Sequence, residues 1–358
     1  MHDATNRSAR DWPVQRPNLL EETRSGQETV SAGQPPSERW ETAPSCVNDQ
    51  EMAWWQEFSD VEEQFCWTQT PSIQRLVRGH YVRRIARGIP SNGTVLEFGC
   101  GSGWLALLLA ENGARRVFGV DFSAAQIQVA KRRCAEQGLS KSATFHLIGG
   151  SLAELSGKVP GIDVLVIHGV LHHLTNREIR GVLDEFCRCL AAPRATVFVL
   201  EPVVYEDLPN TRLKRFVGWL IDRLIHLPLS GQSLGIRKCD AREVEVRERL
   251  SRRCIGVAPR GPSPKEHPFV PGELEMLLRP YLHVVESKAV LAFSFHAAKN
   301  MLLMRLSYPR LASWITWPYL LAVSYLERFL LSHYARCGCG GHSVFELKRC
   351  TVRLGAKI

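Results

Sequence analysis

The stretch VLEFGCGSGW at 95–104 runs from an apolar strand through glycines 99, 101 and 103 into a tryptophan. An apolar Val/Leu lead of this kind, broken only by the acid Glu97, reads as a strand buried on both faces, which is the habit of parallel sheets. Alternate glycines let the chain turn tightly and let a ligand come close to the backbone. A helix that starts directly after the turn contributes unpaired amide donors. The turn therefore commits the chain to strand–helix alternation, with a ligand site at the carboxyl edge of the sheet.

The rest of the chain keeps that rhythm. The patterning predicts strands at 94–98, 116–121, 143–149, 162–169 and 195–202. Between them it predicts helices at 104–113, 123–138 and 176–190. Ser123 is expected as an N-cap, and Gly113 and Gly138 as helix stops. A further helix at 271–281 and strands at 282–288 and 343–349 would complete the sheet. The expected fold class is α/β: a doubly wound, mostly parallel seven-stranded sheet with helical insertions. Residues 51–90 read as helices, with Trp54, Trp55, Phe58, Val61, Phe65 and Trp67 on one face and Ile73, Leu76, Val77, Tyr81 and Ile85 on another. Packing across the main domain is the preferred role of the first of these; a lid over the substrate is the alternative.

Composition divides the chain further. Residues 1–50 are polar, rich in Ser, Glu, Gln, Arg and Pro, without apolar periodicity, and are expected to be a disordered lead. They lack the basic start and apolar core of a secretory signal. With eleven scattered cysteines, an odd number, a reducing cytoplasm fits better than a disulfide framework. Cys337, Cys339 and His342 supply only three ligands in a Gly-rich turn, so no metal is assigned there. Residues 91–202 form the expected ligand-binding core and 203–270 a cap, with a basic amphipathic helix around Leu213, Phe216, Leu220, Leu224 and Leu227. Residues 271–358 would return to the sheet around an apolar helical insertion at about 296–342.

The ligand of the glycine turn can be narrowed. Dinucleotide binders use G-x-G-x-x-G, whose last glycine allows close packing. Here that position is Trp104, and Gly103 falls one residue early, so a pyrophosphate cradle is disfavoured. A nucleoside with a charged sulfonium tail has no phosphate and wants two carboxylates. Glu97 lies two residues before the first glycine, and Asp121 closes the next strand. In a right-handed βαβ unit both reach one edge of the sheet. Phe122 can wall an adenine ring.

At this point 94–202 resembles the class I S-adenosylmethionine-dependent methyltransferases. LEFGCGSG is similar to that family's first motif, and GVDFS to its second. DVLVIHGVLHHL is similar to its fourth-strand motif, and FCRCLAAPRATVFVLEP to the approach to strand five. The resemblance implies S-adenosyl-L-methionine as cofactor, held by Glu97, Gly99, Gly101, Gly103, Asp121 and Phe122. It implies Ser151 near the adenine amino group, where the family often has an acid, and His168 at the cofactor edge. The family's Pro-Gly-Gly turn before strand five is altered to Ala192-Pro193-Arg194.

Methyl transfer from a sulfonium is an in-line displacement, and a hydroxyl or amine acceptor must lose a proton. His172 and His173 are the candidate bases, with Glu201 a further candidate or a cap. Nucleic-acid amino methylases carry an N/D-P-P-Y/F turn after strand four; here Ile167-His168-Gly169 stands instead. The expected acceptor is a hydrophobic small molecule or a lipid-linked metabolite, methylated on oxygen, and not nucleic acid. The rival readings are a cofactor-free binding protein on the same fold and an NAD(P)-dependent oxidoreductase.

The apolar run at 311–326 contains no charge but is short for a membrane span and holds Pro318. Residues 296–358 carry nine Lys/Arg against two acids, whereas 1–50 carry five Arg against eight. With Trp314, Trp317 and Tyr319 suited to a membrane–water interface, a surface-lying element on an anionic membrane is expected. A buried hairpin, a homodimer contact through 311–331 and a true span are the alternatives. The protein would then be cytoplasmic and peripheral at the inner membrane face.

Overall fold

The computed structural model describes residues 51, 55, 71–149, 151–203, 267–270, 272–291, 314, 317–326 and 344–352. Helix α1 (Pro71–Arg87) precedes strand β1 (Thr94–Phe98) and helix α2 (Trp104–Glu111). Then come β2 (Arg116–Asp121), α3 (Ala124–Glu136), β3 (Ala143–Leu147), β4 (Ile162–His168) and α4 (Asn176–Glu185). The series closes with β5 (Ala191–Val203), α5 (Glu273–Leu278), β6 (Leu282–Leu291) and β7 (Val344–Val352). Short 3-10 turns fill Leu152–Leu155 and Leu171–His173.

The seven strands form one sheet in the order β3-β2-β1-β4-β5-β7-β6. β1 to β5 pair in parallel, and β7 enters antiparallel between β5 and β6. The chain starts in the middle, winds outward through β2 and β3, and then reverses to β4. The carboxyl ends of β1 and β4 therefore flank a switch point, where neighbouring loops diverge and leave a crevice.

The strands bury because they carry side chains that favour the pleat and little else. All five residues of β1 are buried, including Glu97. One apolar layer joins α1, α2 and α3 to one side of the sheet through Val77, Tyr81, Leu105, Leu109, Ala130 and Phe198. The other side is covered by α4, α5 and the first 3-10 turn, through Leu152, Leu155, Ile179, Leu183, Leu274 and Leu278. Ser123 caps α3 by accepting from the Gln126 amide, and Gly113 and Gly138 take left-handed conformations past the ends of α2 and α3. α4 opens on a reciprocal capping box between Thr175 and Glu178.

The two largest boundary shifts from the sequence expectation fall at one junction. The helix expected over 176–190 is α-helical only to Glu185, and continues as a π turn over Phe186–Leu190. β5 starts at Ala191 and not at 195. Both follow from the missing Pro-Gly-Gly turn: without a glycine to reverse sharply, the chain passes straight into extended backbone. Pro193 cannot donate to a ladder. The β4–β5 register absorbs this by stepping from Ile162↔Ala191 to Val164↔Thr196. The expected lead at 1–50 and the amphipathic helix at 213–227 lie outside the described residues.

Candidate functional site

At the β1 end of the crevice the glycine turn is tied into the fold by its own amides. Gly99 and Cys100 donate to the Val120 carbonyl at 2.8 and 2.9 Å. Gly103 donates to the Cys100 carbonyl, and Gly101 to Asp121 Oδ2 at 2.8 Å. With these four amides consumed internally, the turn does not offer the fan of N–H groups that a pyrophosphate needs. Arg133 fixes the turn from α3 by donating to Ser102 Oγ at 2.8 Å.

The glycines differ in purpose. Gly99 has φ +70, and a Cβ there would collide with Val170 of the histidine turn. Its bareness lets the β1 and β4 loops touch. Gly101 has φ +50, and a Cβ there would meet only Gln126 Oε1, at 3.8 Å. This is the open face of the turn, a hollow bounded by backbone.

Two carboxylates meet beside that hollow. Asp121 accepts from Gly101 through one oxygen and from the Ser123 amide through the other, at 2.8 Å. The Phe122 amide acts on the carboxylate as a third backbone donor, and lone-pair capacity still remains on it. Burial pushes its pKa up, and the backbone donors oppose that shift. Glu97 is 1% exposed, and its Oε2 is buried without a hydrogen-bond partner. Burial raises its pKa well above the ordinary value, the Ala106 amide opposes that, the Asp121 charge adds to it and the Arg78 charge opposes it. Gln126 Oε1 is a second buried acceptor without a partner. Buried acceptors left unmet are costly, so the hollow is chemically incomplete and suited to a donor-bearing cation. Phe122 stays 41% exposed at the end of β2, available as a flat apolar wall.

Helix α1 closes the crevice with groups that sequence reasoning treated as core or passed over. Arg78 is buried, with its guanidinium carbon 3.6 Å from the centre of the Trp104 ring. Trp104 meets His168 edge-on at 5.0 Å, and Tyr81 stacks on His168 at 5.9 Å. The Tyr81 hydroxyl lies 3.3 Å from His168 Nε2. Burial raises the phenol pKa, so Tyr81 keeps its proton. Burial, then the Arg78 charge, then His172 hold the His168 pKa well below its usual value. The two shifts agree on a neutral phenol facing a neutral imidazole, with the tautomer of His168 setting which of them donates. His168 is thus a wall of the site with its Nε2 engaged by Tyr81.

The paired histidines part company. His172 is buried, with Nδ1 2.7 Å from Glu201 Oε2. Glu201, fully buried at the end of β5, also accepts from the amides of Val170, Leu171 and His172 at 2.9, 2.9 and 3.4 Å. One carboxylate therefore caps the turn and orients the ring, which puts the proton on Nδ1 and the lone pair on Nε2. His173 pairs instead with Glu51 Oε1 at 3.1 Å through its Nδ1. Trp55 donates to the same oxygen at 2.7 Å and meets the His173 ring edge-on. The residues described in the 51–67 region dock on the histidine turn. Ser151 donates to Glu185 at 3.0 Å and accepts from the Ala153 amide at 3.2 Å. Its proton is spent on Glu185 at the end of α4 and one lone pair on capping the 3-10 turn, which leaves one lone pair for a ligand.

The structure brings Glu97, Gly101 and Asp121 together at one end of the crevice, and His168, His172 and His173 at the other. Arg78, Tyr81 and Glu51 were missed because an Arg in a helix, a Tyr on an apolar stripe and a Glu before the two tryptophans carry no local signal. Glu201 had one: an acid ending an otherwise apolar strand.

Residues 95–192 match the family model of a methyltransferase domain. The ribosomal protein L11 methyltransferases of Klebsiella pneumoniae subsp. pneumoniae and Salmonella arizonae are each 30% identical over 138 residues, which is 34% of this chain and 44% of those proteins. The chain thus spans less than half the length of the curated relatives it matches. The cyclopropane synthase MmaA2 from Mycobacterium tuberculosis is 14% identical, with a TM-score of 0.43 over 76% of this chain and 84% of that one. The resemblance carried by the four motifs is borne out: 95–192 is a methyltransferase domain of the S-adenosylmethionine-dependent class.

Proposed function

We propose that this methyltransferase domain transfers a methyl group from S-adenosylmethionine to a hydroxyl of a hydrophobic small molecule or lipid-linked metabolite. The observation that carries the reading is the meeting of Glu97 and Asp121 beside the bare face of Gly101, with Glu97 Oε2 left without a donor. The cofactor supplies an electrophilic methyl group on a sulfonium. The Arg78 charge favours the ionised form of Glu97 against its burial, and together the two groups match a carboxylate and an ammonium on one amino-acid tail. The outward lone pairs of Asp121 suit two vicinal hydroxyls, and Phe122 an apolar base.

The residues at the other end suit the acceptor. Glu201 holds His172 in the tautomer whose Nε2 accepts a proton. A base arranged in this way is required by a hydroxyl far more than by a carbon or sulfur nucleophile, which favours oxygen as the atom methylated. Trp104, Tyr81 and His168 line the approach with rings and exclude water. His173 is the second candidate base, its Nδ1 held by Glu51 as that of His172 is held by Glu201.

The test is an incubation of the purified full chain with methyl-labelled S-adenosylmethionine and a bacterial extract separated into lipid, aqueous and protein fractions. Label is expected in the lipid or apolar fraction as a methyl ether. Label confined to protein, as the names of the L11 relatives suggest, would overturn the acceptor class while leaving the domain's chemistry intact. No label in any fraction, together with no binding of the donor, would favour the reading as a binding protein.

A further inference from the structure

Residues 317–326 are helical, and Trp314 just before them is also in helical conformation. A surface helix normally turns apolar residues inward and polar residues to water. This one is apolar on both sides. Leu320 and Val323 are buried, and they join the same apolar layer as Val77 and Tyr81 of α1. The outward positions are Trp314, Trp317, Pro318, Leu321, Ala322 and Tyr325. Trp314 is 81% exposed and Tyr325 63%. Among the described residues of this segment, no outward position carries a charge, and the polar Ser324 is on the buried side. An exposed apolar face of this kind is retained for contact with something.

We infer that this outer face, from Trp314 to Tyr325, is a docking surface for an anionic lipid bilayer. Three observations select that occupant. The outward rings are Trp, Trp and Tyr, whose apolar bodies and polar edges suit the headgroup boundary. The chain on either side is basic: residues 296–358 hold nine Lys/Arg against two acids, with Arg310 before the segment and Arg328 after it in sequence. No described helix is long and apolar enough to cross a membrane, so the face would lie in the interface and not span it. A second protein copy is the alternative that the experiment below distinguishes.

The inner face fixes what docking does. Because Leu320 and Val323 sit in one layer with α1, and α1 carries Arg78 and Tyr81 at the crevice, the bilayer contact is joined to the site through one apolar layer. A docked molecule would hold its acceptor crevice at a set orientation to the surface from which an apolar acceptor must be drawn.

The experiment is sedimentation of the purified full chain with vesicles of phosphatidylcholine alone and with one part in four phosphatidylglycerol, at low and at high salt. The chain is expected to sediment with the anionic vesicles at low salt and to be released by salt. The double variant Trp314→Ala/Trp317→Ala is expected to bind at least about tenfold more weakly, with an unchanged melting temperature. Brominated lipid should quench the tryptophan fluorescence of the wild-type chain and do so less in the variant. Three results would overturn the inference: a wild-type chain that stays in the supernatant, a variant that binds as the parent does, or a wild-type dimer that falls apart in the variant without vesicle binding. None of these readouts depends on methyl transfer, so the inference and the proposed activity can fail separately.

Discussion

The two ends of the crevice are built from similar chemistry in opposite ways. At the β1–β2 end, the acids and the backbone they serve are close in sequence: Asp121 holds Gly101 twenty residues away and Ser123 two residues away. At the β4–β5 end, acids arrive from afar. Glu201 reaches back 29 residues to His172, and Glu51 comes from before the sheet to meet His173. One end is a local motif with acceptors left open for a ligand. The other is an assembly of distant segments whose polar groups already satisfy one another. Substitutions should therefore separate binding from turnover according to the end they touch.

The largest effect is expected at Glu201. Its carboxylate serves three amides and one imidazole, so Glu201→Ala strips partners from a buried turn and should cost about 3–5 kcal/mol of stability. The milder Glu201→Gln should keep the fold by thermal melting yet lower turnover about 100-fold, with donor affinity unchanged. Equal turnover in the amide variant would remove His172 from the role of oriented base.

Next comes a contrast within the turn. Gly99→Ala must push Val170 aside and strain a left-handed residue, so the two loops separate and the melting temperature falls by several degrees, about 1–3 kcal/mol. Gly101→Ala faces open space and should cost only its backbone strain, about 1–2 kcal/mol. It should nevertheless impair donor binding at least as much, because its methyl group enters the hollow. Calorimetric titration beside thermal melting would show whether the two glycines divide in this way.

A smaller effect is expected from Arg78→Met, which keeps length and apolar packing over Trp104. Donor affinity should fall about tenfold through loss of the charged partner. S-adenosylmethionine and its decarboxylated analogue should then bind the variant alike. A preserved preference for the carboxylate would assign that end to another residue.

The smallest effect is a pH dependence. The folded-state pKa of Glu97 is raised by burial above its unfolded value near 4.5. Its stabilising contribution is full below that unfolded value and is lost as pH rises toward the folded one. Glu97→Gln removes the loss. Without ligand, the variant should melt a few degrees above the parent near neutral pH, with the gap closing toward pH 4.5. With S-adenosylmethionine present the order should invert, because only the carboxylate can answer an ammonium group.

The same contrast explains what could be read from the sequence. β1 and β2 begin and end where the patterning puts them, because Val, Leu and Phe runs between glycine turns leave little choice. Ser123, Gly113 and Gly138 act as caps and stops since each works through its own neighbours. The pairing of Glu97 with Asp121 followed from strand order alone. The His172–Glu201 contact did not, since nothing local says that an acid closing β5 folds onto a turn after β4. The Arg78–Trp104 and His173–Glu51 contacts are long-range packing decisions, invisible until α1 and the residues before it are docked. The unusual Ala192-Pro193-Arg194 turn was noticed as a departure, but its consequence, a longer β5 with a stepped register, depended on which strand it paired with.

The central claim is that a sulfonium nucleoside sits between Glu97 and Asp121 against the bare backbone at Gly101. Calorimetric titration of S-adenosylmethionine into the wild-type chain and into Asp121→Asn tests it most directly, since asparagine keeps the size of the side chain and one acceptor oxygen for the loop amides. The account predicts saturable one-site binding by the parent, at least about tenfold weaker binding by the variant at a temperature where it is still folded, and no response to NAD(P)H. Equal affinity in the two proteins, or heat on adding NAD(P)H in place of S-adenosylmethionine, would contradict it.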